Sequence, residues 1–182
     1  SVTVAMLAIG RAWSAQPAKR SALFVWHGAE ERGLLGSRYF VGHPTVELSS
    51  IAAVLNGDMI GRNAPDSAAL LGVTEPHLNS TELVEMTLAA NKSTANFKLD
   101  FSWDAADHPE NWYFRSDHLP YSQANVPAIF FSNAFSQANE EDINDLSIFS
   151  EYVKAKNYDS AFDPWMKLRK RSPKFNSAIY VY

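Results

Sequence analysis

A chain of 182 residues, 46% of them hydrophobic, is long enough to close one good core, or one domain with an appendage. Its net charge of −4 argues against electrostatic binding of nucleic acid. With no cysteine it has neither disulfides nor a thiolate metal site, so any metal must be held by Asp, Glu and His.

Residues 2 to about 14 have Met6, Ile9 and Trp13 at helical spacing and predict a mostly buried helix. Their apolar start, Val2 to Ile9, has no basic segment before it and does not read as a signal peptide. Pro17, Lys19 and Arg20 mark a surface loop. Residues 21–27 predict an apolar strand that runs into two adjacent carboxylates, Glu30 and Glu31, and then a glycine-punctuated turn. Leu34 to about Val41 predicts a short helix, stopped by Gly42-His43-Pro44. Ile51 to Asn56 is a continuous apolar run, which suits a strand covered on both faces. Ala68 to Gly72 predicts a shorter strand. Asn79 or Ser80 can cap a helix to about Asn91, with Glu82 and Glu85 near its N-terminal end. Phe97 to Phe101 suggests a strand, and residues 102–115 a long loop with Trp103, Trp112 and Tyr113 exposed or lining a cleft. Ser116 can cap a helix to about Asn125, and Pro127 to Ser132 is the last strand. Strands alternating with helices predict an α/β fold with a mainly parallel sheet, whose central strands are residues 23–26, 51–56 and 127–131. No apolar run reaches the length that spans a bilayer.

Neighbouring side chains on an extended chain point to opposite sides. Glu30 and Glu31 therefore need not compete for one position: one can bind a cation while the other handles a proton beside it. Carboxylates at the carboxyl end of a strand sit where open α/β sheets keep their ligand crevices. The flanks sharpen this reading. Trp26-His27-Gly28-Ala29-Glu30-Glu31-Arg32-Gly33-Leu34-Leu35-Gly36-Ser37, then Asn56-Gly57-Asp58-Met59-Ile60-Gly61-Arg62, closely resemble the two-zinc aminopeptidase (zinc exopeptidase) family. A third block, Arg115-Ser116-Asp117-His118-Leu119-Pro120-Tyr121 with Val126 to Phe131, also looks like that family. The resemblance covers about residues 1–133.

The resemblance implies hydrolysis of N-terminal peptide bonds, a peptide substrate and two zinc ions. Matched residue by residue, Glu31 and Asp58 are metal ligands and Glu30 is the general base. It implies a secreted or periplasmic setting as well. The family's first His and bridging Asp would precede Ser1. Its final His would follow the last strand, where this chain reads Phe131-Ser132-Asn133-Ala134 and has no histidine after His118. Three of five expected ligands are thus unmatched, and the chain by itself is expected to be inactive. Asp117 and His118 are expected to order a substrate-side loop rather than bind metal. His27 is expected to pack or hydrogen-bond, Arg62 to pair with an acid near the site, and His43, His77 and His108 to be solvated.

Beyond about residue 134 the composition changes: no glycine follows Gly72. Ile143, Leu146, Phe149, Tyr152 and Val153, then Tyr158 to Lys170, predict a helical hairpin. The spacing Tyr158, Ala161, Trp165, Leu168, Pro173 weakly resembles a tetratricopeptide repeat, which implies a protein partner on the C-terminal helices. The domains expected are 1–133, peptidase-like, and 134–182, helical. Two other readings stay open: a non-catalytic interaction module, and a chimeric reading frame.

Overall fold

A computed structural model describes residues 2–61 and 66–132, which belong to one unit of the chain, Ser1–Ala134. Arg62 and the expected helical tail lie outside the described residues. The described unit has an α/β architecture: α1 (Val2–Ala15), α2 (Leu35–Gly42), β1 (Val54–Gly57), β2 (Ser67–Leu71), α3 (Thr81–Ser93), β3 (Lys98–Asp100), α4 (His118–Gln123) and β4 (Ala128–Ser132).

The four strands form one sheet in the order β1-β4-β2-β3. β1 and β4 run parallel, with Val54 opposite Ala128, and so do β2 and β3, with Ser67 opposite Lys98. β2 and β4 are antiparallel, with Leu70 opposite Phe131. The sheet is therefore mixed, with two parallel pairs around one antiparallel pair. β4 sits inside the sheet and is buried along most of its length, as its unbroken apolar sequence requires. Phe130 and Leu71 face one side with Leu34, Ala69, Tyr113 and Leu119. Leu70 and Ile129 alternate to the other face and are also buried.

The helices follow their sequence signals. Ser80 caps α3, its Oγ accepting a hydrogen bond from the Leu83 N–H at 3.2 Å. α2 is set against the sheet through Phe40 and Val41, which pack on a second cluster of Tyr121, Val126 and Ala128.

Several expectations are corrected. Residues 21–29 form no paired strand among the described residues, and Leu23 and Trp26 stand about half exposed. Apolar character there goes into ring contacts instead, Phe24 meeting Trp13 at 6.0 Å and Trp26 at 6.5 Å. α1 forms where the periodicity puts it, yet none of its residues is buried. Among the described residues β1 lies at one edge of the sheet, and Leu55 on it is exposed rather than covered. Trp103 and Trp112 pack on the core and Tyr113 is buried, because two 3-10 helices, Ser102–Asp104 and Trp112–Arg115, fold that long connection inward.

Candidate active site

The Glu30–Glu31 pair stands on a turn held mainly by backbone hydrogen bonds, with Arg38 Nε donating to the Gly33 carbonyl at 3.0 Å. Ala29 and Leu34 both lie in the left-handed region, at φ 55° and 60°, and Gly33 lies at φ 92°. Between them Glu30–Arg32 makes one 3-10 turn, with the Gly33 and Leu34 N–H groups donating to the Glu30 carbonyl at 3.0 and 2.9 Å. A positive φ is costly for a leucine. Here the buried Leu34 side chain anchors it in the core. The turn closes where the Gly36 N–H donates to the Gly28 carbonyl at 3.0 Å. A Cβ on Gly36 would lie 2.5 Å from the Gly28 oxygen and 2.7 Å from its nitrogen. Glycine at 36 is therefore what lets the chain fold back tightly enough to present both carboxylates.

Asp58 is the first residue past β1. Its N–H donates to the Phe131 carbonyl at 3.1 Å, which continues the ladder with β4 and fixes its backbone. Its carboxylate is fixed by the block that opens α4: Ser116 Oγ donates to Asp58 Oδ2 at 3.0 Å. Asn56 Nδ2 in turn donates to Ser116 Oγ at 2.8 Å. The next residue, Asp117, accepts from the hydroxyl of Ser37, a fully buried residue of α2. Ser116 is thus not the helix cap expected from sequence. Asp117 occupies that position, without a side-chain capping bond, and both side chains serve the site instead.

Three further carboxylates, Glu31, Asp58 and Asp117, lie near enough to Glu30 for their charges to act on it. Burial first, and then the charges of Glu31, Asp58 and Asp117, push the Glu30 carboxyl up to about 7. Among the described residues no lysine or arginine pairs with any of the four. The ion pairs there lie elsewhere, Lys98 with Asp66 and Arg115 with Glu110. Such a cluster has the charge and the hard oxygen donors that suit a divalent cation. It does not complete a ligand set: among the described residues no three His, Asp or Glu side chains are arranged around one ion.

The histidines divide differently from expectation. His27 Nε2 meets the Tyr121 hydroxyl at 3.1 Å and packs edge-on to Phe40, the hydrogen-bonding role expected for it. Burial lowers its pKa, and the nearby Asp117 charge opposes that. His118, expected to help order a substrate-side loop, is fully buried and stacks on Phe130 at 5.0 Å. Asp117 and His118 are adjacent, yet one turns to the acid cluster and the other into the core. His77, expected in solvent, is buried against Tyr113 with Nδ1 3.0 Å from Asp104 Oδ1. His43 is exposed, and His108 leans on Trp103 at 4.8 Å. The sequence reading overlooked Asp104, Ser37 and Asn56. A buried aspartate leaves no trace in hydrophobic periodicity, and a serine on a short helix is too common to signal a partner 80 residues away.

Compared with known families, the chain matches Peptidase family M28 over residues 1–181. It is similar to leupeptin-inactivating enzyme 1 of Streptomyces exfoliatus, 32% identical over 122 residues, which are 66% of this chain and 24% of that protein. It is also similar to aminopeptidase YwaD of Bacillus subtilis (strain 168), 28% identical over 132 residues, 72% of this chain and 27% of that protein. The chain thus spans about a quarter of the length of these relatives. The family match runs through all but the last residue, and the chain belongs to peptidase family M28.

Proposed function

We propose that this chain carries the general base and part of the metal-binding side of a two-zinc aminopeptidase site, which releases N-terminal residues from peptides. The observation that supports this reading is the convergence of Glu30, Glu31, Asp58 and Asp117 with no basic partner among the described residues. Glu31 and Asp58 would hold metal, the remaining ligands coming from outside the described residues. A bound divalent cation would polarise the scissile carbonyl and acidify the attacking water.

The chain's own contribution to the chemistry is a proton path. Glu30 takes a proton from water as the water oxygen bonds to the carbonyl carbon. The tetrahedral carbon then expels the amine as the C–N bond breaks, and Glu30 returns the proton to that nitrogen. A carboxyl held near 7 is suited to both halves at neutral pH. Asp117, held by Ser37, adds negative charge beside the base and helps keep its proton affinity high.

Two carboxylate ligands alone bind an ion weakly and leave most of its coordination to water, so the 182-residue chain is expected to show no turnover above background unless residues outside the described ones complete the set. Metal content by mass spectrometry, alongside an aminoacyl-anilide assay of the purified chain, tests this. Stoichiometric tight zinc, with activity that Glu30→Gln abolishes, would overturn the predicted inactivity and keep the chemistry. Zinc retention indifferent to Glu31→Gln and Asp58→Asn would remove the metal assignment.

A further inference from the structure

Residues 1–29 carry three basic residues, Arg11, Lys19 and Arg20, and no aspartate or glutamate, in a chain whose net charge is −4. Two of the three lie where the chain leaves α1 and turns back toward Phe24. There Trp13, Pro17, Lys19, Arg20 and Phe24 line a hollow of about 360 Å³. The aromatic rings make a short ladder, Phe24 meeting Trp13 at 6.0 Å and Trp26 at 6.5 Å. Phe24 is seated on α1 at Gly10, where an added Cβ would lie 3.9 Å from its ring. Both tryptophans keep much of their surface in water, Trp13 being 42% and Trp26 50% exposed. Lys19 and Arg20 are exposed and make no ion pair among the described residues.

This face makes two demands at once. Its ring surfaces gain by leaving water, and its unpaired cations gain from a nearby anion. Indole suits a boundary where its ring lies in an apolar layer while its N–H stays wet. Acyl chains beneath a layer of negative headgroups meet both demands. A second copy of this chain does not. A two-fold contact through this face would set Lys19 and Arg20 against their own counterparts, with no acid from residues 1–29 between them.

We propose that Trp13, Phe24 and Trp26, with Lys19 and Arg20, form a docking face for the surface of an anionic phospholipid bilayer. The indole rings enter the headgroup boundary, and the two cations beside the hollow take headgroup phosphates. The contact is peripheral, since no helix of the described residues is long and apolar enough to cross a membrane. Each cation close to such a surface strengthens binding about fivefold. None of the five residues belongs to the acid cluster around Glu30, so the inference stands apart from the metal reading.

The test is co-sedimentation of the full 182-residue chain with two kinds of vesicle, pure phosphatidylcholine and an equal mixture of phosphatidylcholine and phosphatidylglycerol. The variants are Lys19→Glu, Arg20→Glu and Trp26→Ser, all at exposed positions, with Lys92→Glu on α3 as a control of the same net charge. The expected result is binding to the mixed vesicles only, weakened by added salt. Lys19→Glu and Arg20→Glu should each lower it about tenfold or more, Trp26→Ser should weaken it, and Lys92→Glu should leave it near wild type. Equal binding to both vesicles, or to neither, would overturn the proposal. An equal loss in Lys92→Glu would reduce the effect to overall charge and overturn the assignment to this face, as would unchanged binding in Trp26→Ser. Sedimentation without vesicles covers the other occupant: a dimer that Trp26→Ser dissociates would give the face to a second copy.

Discussion

Asp104 and His77 form a buried pair, Oδ1 to Nδ1 at 3.0 Å, that ties the connection after β2 to the connection before α4. Both carboxylate oxygens of Asp104 are used. The N–H groups of Gly72, Val73 and Thr74 donate to them at 2.9, 2.8 and 2.8 Å, and the Thr74 hydroxyl adds a bond at 2.9 Å. The acceptors around Nδ1 place the His77 proton on that nitrogen.

Truncating Asp104 would strand three backbone donors and the imidazole at once. Each buried group left unpaired costs about 1–3 kcal/mol, with partial relief where water enters. Asp104→Ala is expected to lower unfolding free energy by roughly 3–5 kcal/mol, comparable to breaking a buried pair. Asp104→Asn keeps one acceptor but turns an amide toward a donor, and should fall between. Urea unfolding measures both. A loss below about 1 kcal/mol in Asp104→Ala would show that the cluster is not a structural clasp.

What was legible in the sequence follows from how each feature is encoded. β4 and α3 were readable because local signals and tertiary demands agree: an unbroken apolar run for an internal strand, and a serine cap before an amphipathic helix. Residues 23–26 were misread as a central strand because apolar character reports a tendency to be covered, not a hydrogen-bonding neighbour. The same limit hid the exposure of α1 and of Leu55. The antiparallel pairing of β2 with β4 depends on which edge a strand reaches, and alternating elements carry no record of that. Glu30, Glu31 and Asp58 were proposed as site residues through motif resemblance. The contacts of Ser37 and Asn56 were missed because each acts through a single hydrogen bond at long separation, and Asp104, which builds a separate clasp with His77, for the same reason.

The turn under Glu30 and Glu31 makes a second prediction. Gly36→Ala puts a methyl group 2.5 Å from the Gly28 carbonyl oxygen, a backbone atom that no side-chain rotation can move aside. The chain must open between residues 28 and 36, and overpacking of this kind costs about 1–3 kcal/mol. Because the displaced segment carries both carboxylates, zinc affinity should fall together with stability. Gly42→Ala, at a position where a Cβ meets nothing within 4 Å, is the control. Equal behaviour of the two variants in thermal melts would remove the close-packing argument.

His118 carries a pH prediction with a definite sign. Burial draws its pKa from an ordinary 6.5 to about 4, offset only in part by the nearby Tyr113 backbone and the Asp104 carboxylate. Neither ring nitrogen makes a well-formed hydrogen bond. The unfolded chain therefore binds this proton first as pH falls, so stability is full above about 6.5 and is lost down to about 4. The full window is worth roughly 3 kcal/mol. His118→Phe keeps an aromatic ring against Phe130 and removes the titration. It should be neutral or stabilising at pH 7 and should lose less stability than wild type on acidification. Parallel curves for the two proteins in urea unfolding between pH 7 and pH 4 would contradict the assignment.

Glu30 titrates in the opposite sense, and the contrast identifies it. Its carboxyl is raised from 4.5 to about 7, first by burial and then by Glu31, Asp58 and Asp117. In metal-free protein the folded chain keeps this proton longer than the unfolded chain. Glu30 therefore lowers stability as pH rises from about 4.5 through 7. The side chain remains partly in water, so screening cuts the effect well below full linkage, to on the order of 1 kcal/mol or less. Glu30→Gln removes the charge but keeps the shape. With a chelator present it should match wild type near pH 4.5 and exceed its stability at pH 8, the pattern of a site that trades stability for chemistry. The same substitution removes the only proton acceptor assigned to the water, so any turnover the chain shows with added ligands or subunits should fall about 10²–10⁴-fold. Unfolding curves at pH 4.5 and pH 8 decide the first half. If Glu30→Gln is no more stable than wild type at pH 8, the four carboxylates are not close enough to repel one another, and the proposed cation site loses its electrostatic basis.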